Sequence, residues 1–386
     1  MTRFQRILFR KPKNHFERLM IQQFLGGESE IKEVSGIPPL ALPDSVGSPL
    51  TAYSITGATE QDGEPSPENP VPVRGVGNFD TETGKYRIPI LLSGKNVLPT
   101  PDSSWREGYV NASGTISTIT SRREYSTLKL KVDKTKTVLS ISSDVIGKSE
   151  SEINWCAIGF YRADGTFIER FGGSTQSFWR NIAIPDDADT YVFSARTFFD
   201  DFSKCQFQVE YDSTFTDYEP YQNPITTTIY TDKPLYSGDK LVYPDNVRTN
   251  KTGVLVLDGS QSRLTYSESG GYFRLDKIES KAWTTGFCSY YFFRNDSTSY
   301  DMTIYGKSSG IIWIRDSRFS DLDSYKAYLS EQYNNGTPVT IYYELAEPTV
   351  EPISLPEIGT LQGTNVLSVQ TEVQPENVTV KYYKKP

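Results

Sequence analysis

Nucleophilic catalysis by a serine or cysteine needs an imidazole beside it, and the only histidine among the 386 residues is His15, set in a basic N-terminal stretch. Neither a Ser-His-Asp nor a Cys-His arrangement is therefore available to the rest of the chain. Cys156, Cys205 and Cys288 lie far apart, show no CxxC spacing and read as buried thiols, with neither a disulfide framework nor a zinc site indicated. No glycine-rich loop precedes a helix in the way phosphate binding requires. Two carboxylates flanking a bond suffice for glycoside hydrolysis, and the acidic runs Asp186, Asp187, Asp189 and Asp200, Asp201 are the candidates. Consecutive carboxylates on a turn cannot face each other across a sugar, so they read as solvated turns, with calcium binding a lesser alternative. The expectation is a protein that is not an enzyme and has no cofactor or metal.

Aromatic residues flanked by polar donors remain, and these suit binding. In "SFWRNI", Phe178 and Trp179 precede Arg180 and Asn181, which could supply donors to the rim of a sugar stacked on the rings. Trp179 is the preferred platform. In "INWCAIGFY" the alternation puts Trp155 and Tyr161 on one face and Cys156, Ile158 and Phe160 on the other. If the second face is core, the first exposes aromatics, although packing of Trp155 between two sheets explains that residue more simply. Trp105 and Tyr109 in "SSWREGYV" read as loop aromatics with the same ambiguity.

The elements that must position these residues are mostly strands. Twenty-five tyrosines, twenty phenylalanines and only three methionines suit pleated, half-exposed surfaces better than helical bundles. From about Gly94 to Tyr221, alternating runs such as "STLKLKV", "KTVLSIS", "TYVFSARTFF" and "KCQFQVEY" predict a β-sandwich or jelly roll, with Asp164-Gly165 marking a type I′ hairpin. The segments on its borders, "GKYRIPILLSG" and "YQNPITTTIYTDKPL", could pair as neighbours, which would make the sandwich an insertion in a larger β-domain. Four prolines, Pro65, Pro67, Pro70 and Pro72, predict a stiff extended spacer. A helix is expected over "SDLDSYKAYLSEQYNNG", capped by Ser320, with Leu322, Tyr325, Leu329 and Tyr333 on one face; "TNVLSVQTEVQPENVTVKYY" reads as a closing hairpin.

Charge is uneven along the chain. Arg3, Arg6, Arg10, Lys11, Lys13 and Arg18 make the first eighteen residues basic, although the chain as a whole carries −8. This arm, with a short helix over "NHFERLMIQQFL", reads as a docking element for an electrostatic partner, either nucleic acid or an acidic protein surface. No window is apolar enough to cross a bilayer and no secretory signal is apparent. The fold expected is all-β: residues 1–34 a basic docking arm with a short helix, 35–93 a Pro-rich spacer and first strands of a scaffold domain, 94–221 the inserted sandwich or jelly-roll module, and 222–386 the rest of the scaffold with one helix near the C-terminus.

Five segments, "PLTAYSITGATEQDGEPSPENPVPV", "LLSGKNVL", "FQVEYDSTFTDYEPY", "VTIYYELAEPTVEPISLPEI" and "TNVLSVQTEVQPENVTVKYY", together resemble recurring segments of minor structural proteins of tailed phages and prophages of Gram-positive bacteria. The resemblance covers most of the chain after about Ser35 and implies a component of the tail tip, baseplate or fibre whose jelly-roll module binds carbohydrate. It also implies a virion location after assembly in the host cytoplasm, other virion proteins and a host cell-wall glycan as partners, and a symmetric homo-oligomer with a trimer favoured; nucleic acid is not an expected partner. A polysaccharide-degrading tail enzyme and a head decoration or head-fibre protein are the alternatives. The family offers no shared catalytic residues.

Overall fold

The computed structural model describes residues 30–385 apart from 102–104, 119–122, 149–151, 153, 174–175, 199–201, 215, 282–285, 295–299 and 307–309. The basic arm and its helix, and Asp200 and Asp201, lie outside the described residues. The chain is all-β with a single described α-helix. Its scaffold is a twelve-stranded sheet, ordered Ile225–Thr231, Lys85–Gly94, Gln362–Val369, Leu40–Val46, Asn377–Lys384, Ala52–Thr56, Lys240–Tyr243, Val247–Leu257, Val339–Pro352 and Gly286–Cys288, with Glu30–Gly36 and Asn78–Asp80 paired alongside. Alternation builds the core: in "KYRIPILLSG" every second residue, Ile88, Ile90 and Leu92, is buried against Leu42, Ile55, Leu367 and Val380. Residues 30–34 belong to this sheet, because Glu30–Gly36 pairs with Asn377–Lys384, so the scaffold begins earlier than the arm boundary at 34 implied. The expected closing hairpin does not form either. Gln362–Val369 and Asn377–Lys384 are separated by Leu40–Val46, which pairs with both.

Lys85–Gly94 and Ile225–Thr231 are antiparallel neighbours, from Leu92↔Ile225 to Tyr86↔Thr231. The chain between them builds two sheets of its own. One contains Phe167–Gly173, Cys156–Tyr161, Thr190–Arg196, Glu124–Ser126 and Arg106–Glu107; the other contains Phe178–Ala183, Val138–Val145 and Cys205–Glu210. Their facing sides enclose Ile141, Ile158, Phe160, Phe193, Phe207 and Val209. At the base of this unit Glu219, paired with Lys95 of the same unit (3.2 Å), accepts from Thr364 N (2.9 Å) and Thr364 Oγ1 (3.0 Å), which fastens the unit to the scaffold. The Asp164-Gly165 hairpin is present, but its turn is not type I′. Gly165 alone has positive φ (86°), Gly165 N donates to Arg162 O (2.9 Å), and Asp164 Oδ1 accepts from Thr166 N (2.8 Å), which makes a longer loop around an ordinary turn.

A second excursion, residues 258–338, leaves and re-enters between Val247–Leu257 and Val339–Pro352, which also pair. It carries a five-stranded sheet and the helix Leu322–Asn334, whose Tyr325 and Leu329 are buried against Phe273, Ile312 and Ile314. Asp321, not Ser320, caps this helix: its Oδ1 accepts from Ser324 N at 2.8 Å, and a carboxylate suits the positive end of the helix. Tyr333 is half exposed.

The proline-rich stretch is not a spacer. Thr59–Gln61 and Val73–Gly75 pair with each other, so residues 62–72 form the loop of a hairpin. This loop straps onto the second excursion: Val71 N donates to Ser289 O (2.9 Å), Gln61 Nε2 donates to Cys288 O (2.9 Å), and Arg318 lies 3.8 Å from Glu68. Proline suits such a loop because its fixed φ lowers the entropy lost on docking.

Candidate functional site: a groove on the outer face of the sandwich

The three-stranded sheet of the sandwich has one face against the core and one face outward. Ile141 stands opposite Trp179 and Val209 on the inner face, and Ser142 stands opposite Phe178 and Gln208 on the outer face. Part of the outer face is covered by the chain that follows Cys205–Glu210. Glu219 N donates to Gln208 Oε1 (2.8 Å), and Thr216 Oγ1 and Gln208 Nε2 donate to Glu210 Oε1. What remains open is a groove of about 680 Å³. Phe178 and Arg180 line one side, Ser142, Asp144 and Gln206 the floor, Lys148 and Asn154 one end, and Thr216, Asp217 and Tyr218 the facing wall.

Phe178 is 50% exposed, and the Arg180 guanidinium lies 5.4 Å from its ring centre. Tyr218 exposes a second ring across the groove (36%). Asp144 supplies a fixed acceptor: its Oδ1 receives Val145 N (2.9 Å), Asn154 Nδ2 (2.8 Å) and the Lys148 ammonium. Burial works to raise the Asp144 pKa, but these donors outweigh it and hold the carboxyl below its ordinary range. Behind the wall, burial raises the Glu210 pKa, partly countered by Thr216 and Lys95.

The sequence-based candidates divide sharply. Phe178 and Arg180 line the groove, whereas Trp179 does not. Its ring points inward, packed on the sandwich core with a buried Nε1, so it is no exposed platform. Arg180 faces out by simple alternation, and a bulge just after it turns Ile182 back into the core. Pairing shifts between Leu139 and Ile141, and Asn181 takes up the extra residue in the left-handed region (φ 50°), where asparagine is tolerated; its N donates to Ser140 Oγ (3.3 Å). Asn181 is thus a backbone device outside the groove lining. Trp105 does lie on a bend, just before Arg106–Glu107, but it is buried in the core, wedged between Phe193 (6.1 Å) and Phe207 (5.9 Å).

Trp155 and Tyr161 do share a face opposite Cys156, Ile158 and Phe160, yet that face is not exposed. The small ribbon of Tyr109–Val110 and Ile116–Ser117 lies over it, so Tyr109 packs edge-on to Trp155 (5.7 Å) and both Trp155 and Tyr161 are buried. Trp155 accordingly sits under this ribbon and not between the two sheets. Asp187 and Asp189 pair with Arg162 (2.6 Å) and Lys131 (2.8 Å) away from the groove. Sequence reasoning missed Asp144, Lys148, Asn154 and Tyr218; only the burial of their neighbours' alternation could have placed them on one surface.

No family model and no curated protein matches the sequence. Among solved structures, the VP2 subviral particle of infectious bursal disease virus aligns at 7% identity over 92% of this chain and 80% of that chain, with a TM-score of 0.14. The structure of the Gx strain of that virus aligns at 8% identity over 92% and 84%, with a TM-score of 0.11. Scores this low carry no argument. Among the described residues no helix is long and apolar enough to cross a membrane, and no three His, Cys, Asp or Glu side chains are grouped so as to hold a metal ion.

Proposed function

We propose that this chain is a structural protein of a phage virion, belonging to the tail tip, baseplate or fibre, and that the groove beside Phe178 binds a glycan of the host cell wall. The observation that carries the binding half of this reading is the groove itself. An exposed ring offers the apolar face of a pyranose about 25 cal/mol per Å² of buried surface, and Asp144, Asn154 and Gln206 offer hydroxyl partners at its edge. The carboxylate at 144 is pre-fixed by three donors, so little ordering is lost on binding. The virion half rests on the five-segment resemblance and on the basic arm, which would dock the chain onto other virion proteins.

Binding to purified Gram-positive cell wall tests the groove. Phe178→Ala is expected to weaken binding by about 1–3 kcal/mol, on the scale of one large side chain, and to leave the melting temperature within a degree or so. Unchanged binding would remove the groove from consideration. Reducing-sugar release, measured in the same samples, separates a binder from a polysaccharide-degrading enzyme, since Asp144 and Asp217 both border the groove.

A further inference from the structure

The twelve-stranded sheet ends differently on its two sides. One terminal strand, Gly286–Cys288, is three residues long, and a short edge is a usual protection against unwanted pairing. The other, Ile225–Thr231, runs seven residues in unbroken register with Lys85–Gly94. Its sequence, ITTTIYT, contains no charge, no proline and no bulge.

Which backbone groups face outward follows from Pro89. Thr228 stands opposite Pro89, and Pro89 O accepts from Gln370 N (2.8 Å) on the opposite side of its strand. The pair Thr228–Pro89 is therefore a non-hydrogen-bonded one, and the N–H and C=O of Thr228 point to the free edge. Alternation gives Thr226 and Tyr230 the same orientation. None of these six groups has a partner among the described residues, and the side chains of Thr226 and Tyr230 are exposed.

We propose that this edge is a homodimer interface, joined by antiparallel pairing of Ile225–Thr231 with the same strand of a second copy. The chain's own copy is the fitting occupant because the strand is self-complementary in three ways at once. A two-fold axis at Thr228 sets Thr226 against Tyr230 and Thr228 against its counterpart, so all outward-pointing groups meet outward-pointing groups. The same register puts Thr227 against Ile229 and Ile225 against Thr231, so the core faces of both sheets stay on one side. With no charge along the strand, two copies meet without like-charge repulsion across the pairing, and Tyr230–Thr226 becomes an aromatic–β-branched cross-strand pair, repeated twice. Self-pairing of an antiparallel edge generates a closed two-fold assembly, in place of the trimer favoured from sequence.

Mass measurement by light scattering on the full chain, over a dilution series, tests this. The expected species at high concentration has twice the 43.6 kDa of the chain. Thr228→Pro removes an outward N–H without touching the pairing to Lys85–Gly94, and Thr226→Lys places a charge on the edge; each is expected to return the mass to that of one chain, with circular dichroism unchanged. A wild-type chain that stays monomeric at all concentrations, a trimer, or a dimer that survives both substitutions would each overturn the proposal.

Discussion

At the scale of single residues, the neighbours Phe178 and Trp179 have opposite fates because a strand sends successive side chains to opposite faces. Trp179→Ala is expected to destabilise the sandwich by about 3 kcal/mol, near the lower end for a buried tryptophan because this one is only half buried, and to lower its thermal midpoint. Phe178→Ala is expected, under the proposed glycan binding, to change binding and not melting, so the pair separates the two roles in one experiment. The sequence showed that aromatic and polar residues cluster at 178–181, and it showed the parity of Trp155 with Tyr161. Which face points outward was hidden by two local devices. The bulge at Asn181 resets the alternation after Trp179, and the ribbon that covers Trp155 has only two residues per strand, too few for any periodic signal. Glu210 adds a pH dependence. Burial raises its folded pKa above the ordinary glutamate value, so its contribution is fully present below the unfolded pKa of about 4.3 and is lost as pH rises through the folded value. Stability of the sandwich should accordingly fall on going upward from about pH 4 relative to Glu210→Gln, a difference that melting at a series of pH values would reveal.

At the scale of elements, capping and strapping are set by positions that sequence patterns blur by a residue or by a whole role. Asp321→Ala is expected to cost about 1 kcal/mol and Ser320→Ala almost nothing, read as shifts in denaturant midpoint. Both residues are acceptable caps in isolation; the first turn begins at Leu322, so only Asp321 has its carboxylate against Ser324 N. The four prolines were legible as extended and donor-poor, but whether such a segment separates two bodies or returns on itself depends on Thr59–Gln61 meeting Val73–Gly75, a pairing of three residues each. The pairing of Lys85–Gly94 with Ile225–Thr231 was open to anticipation because both are long and alternating. The second excursion was not, since its strands are as short as three residues and merge in composition with the scaffold around them.

At the scale of the whole molecule, two bodies hang from one sheet, each leaving and returning through neighbouring antiparallel strands. Replacing residues 95–224 with a short Gly-Ser turn should leave the scaffold folded with a cooperative melt, and the excised segment should fold alone as a β-protein; failure of both would show that the bodies share one core. The attachment of Glu219 to Thr364 predicts that the separated halves are each less stable than the intact chain.

The same anchorage has a mechanical side. A pull on the sandwich along its strands enters the scaffold at Gly94 and Ile225 together, on the same end of two paired strands. It loads the bonds between Lys85–Gly94 and Gln362–Val369 sideways, across five aligned pairs from Asn365↔Gly94 to Val369↔Ile90. Bonds loaded in this way share the force and must break together instead of one after another. If the sandwich grips a host surface as proposed, tension on it would pass to the part of the scaffold where the bonds share the load.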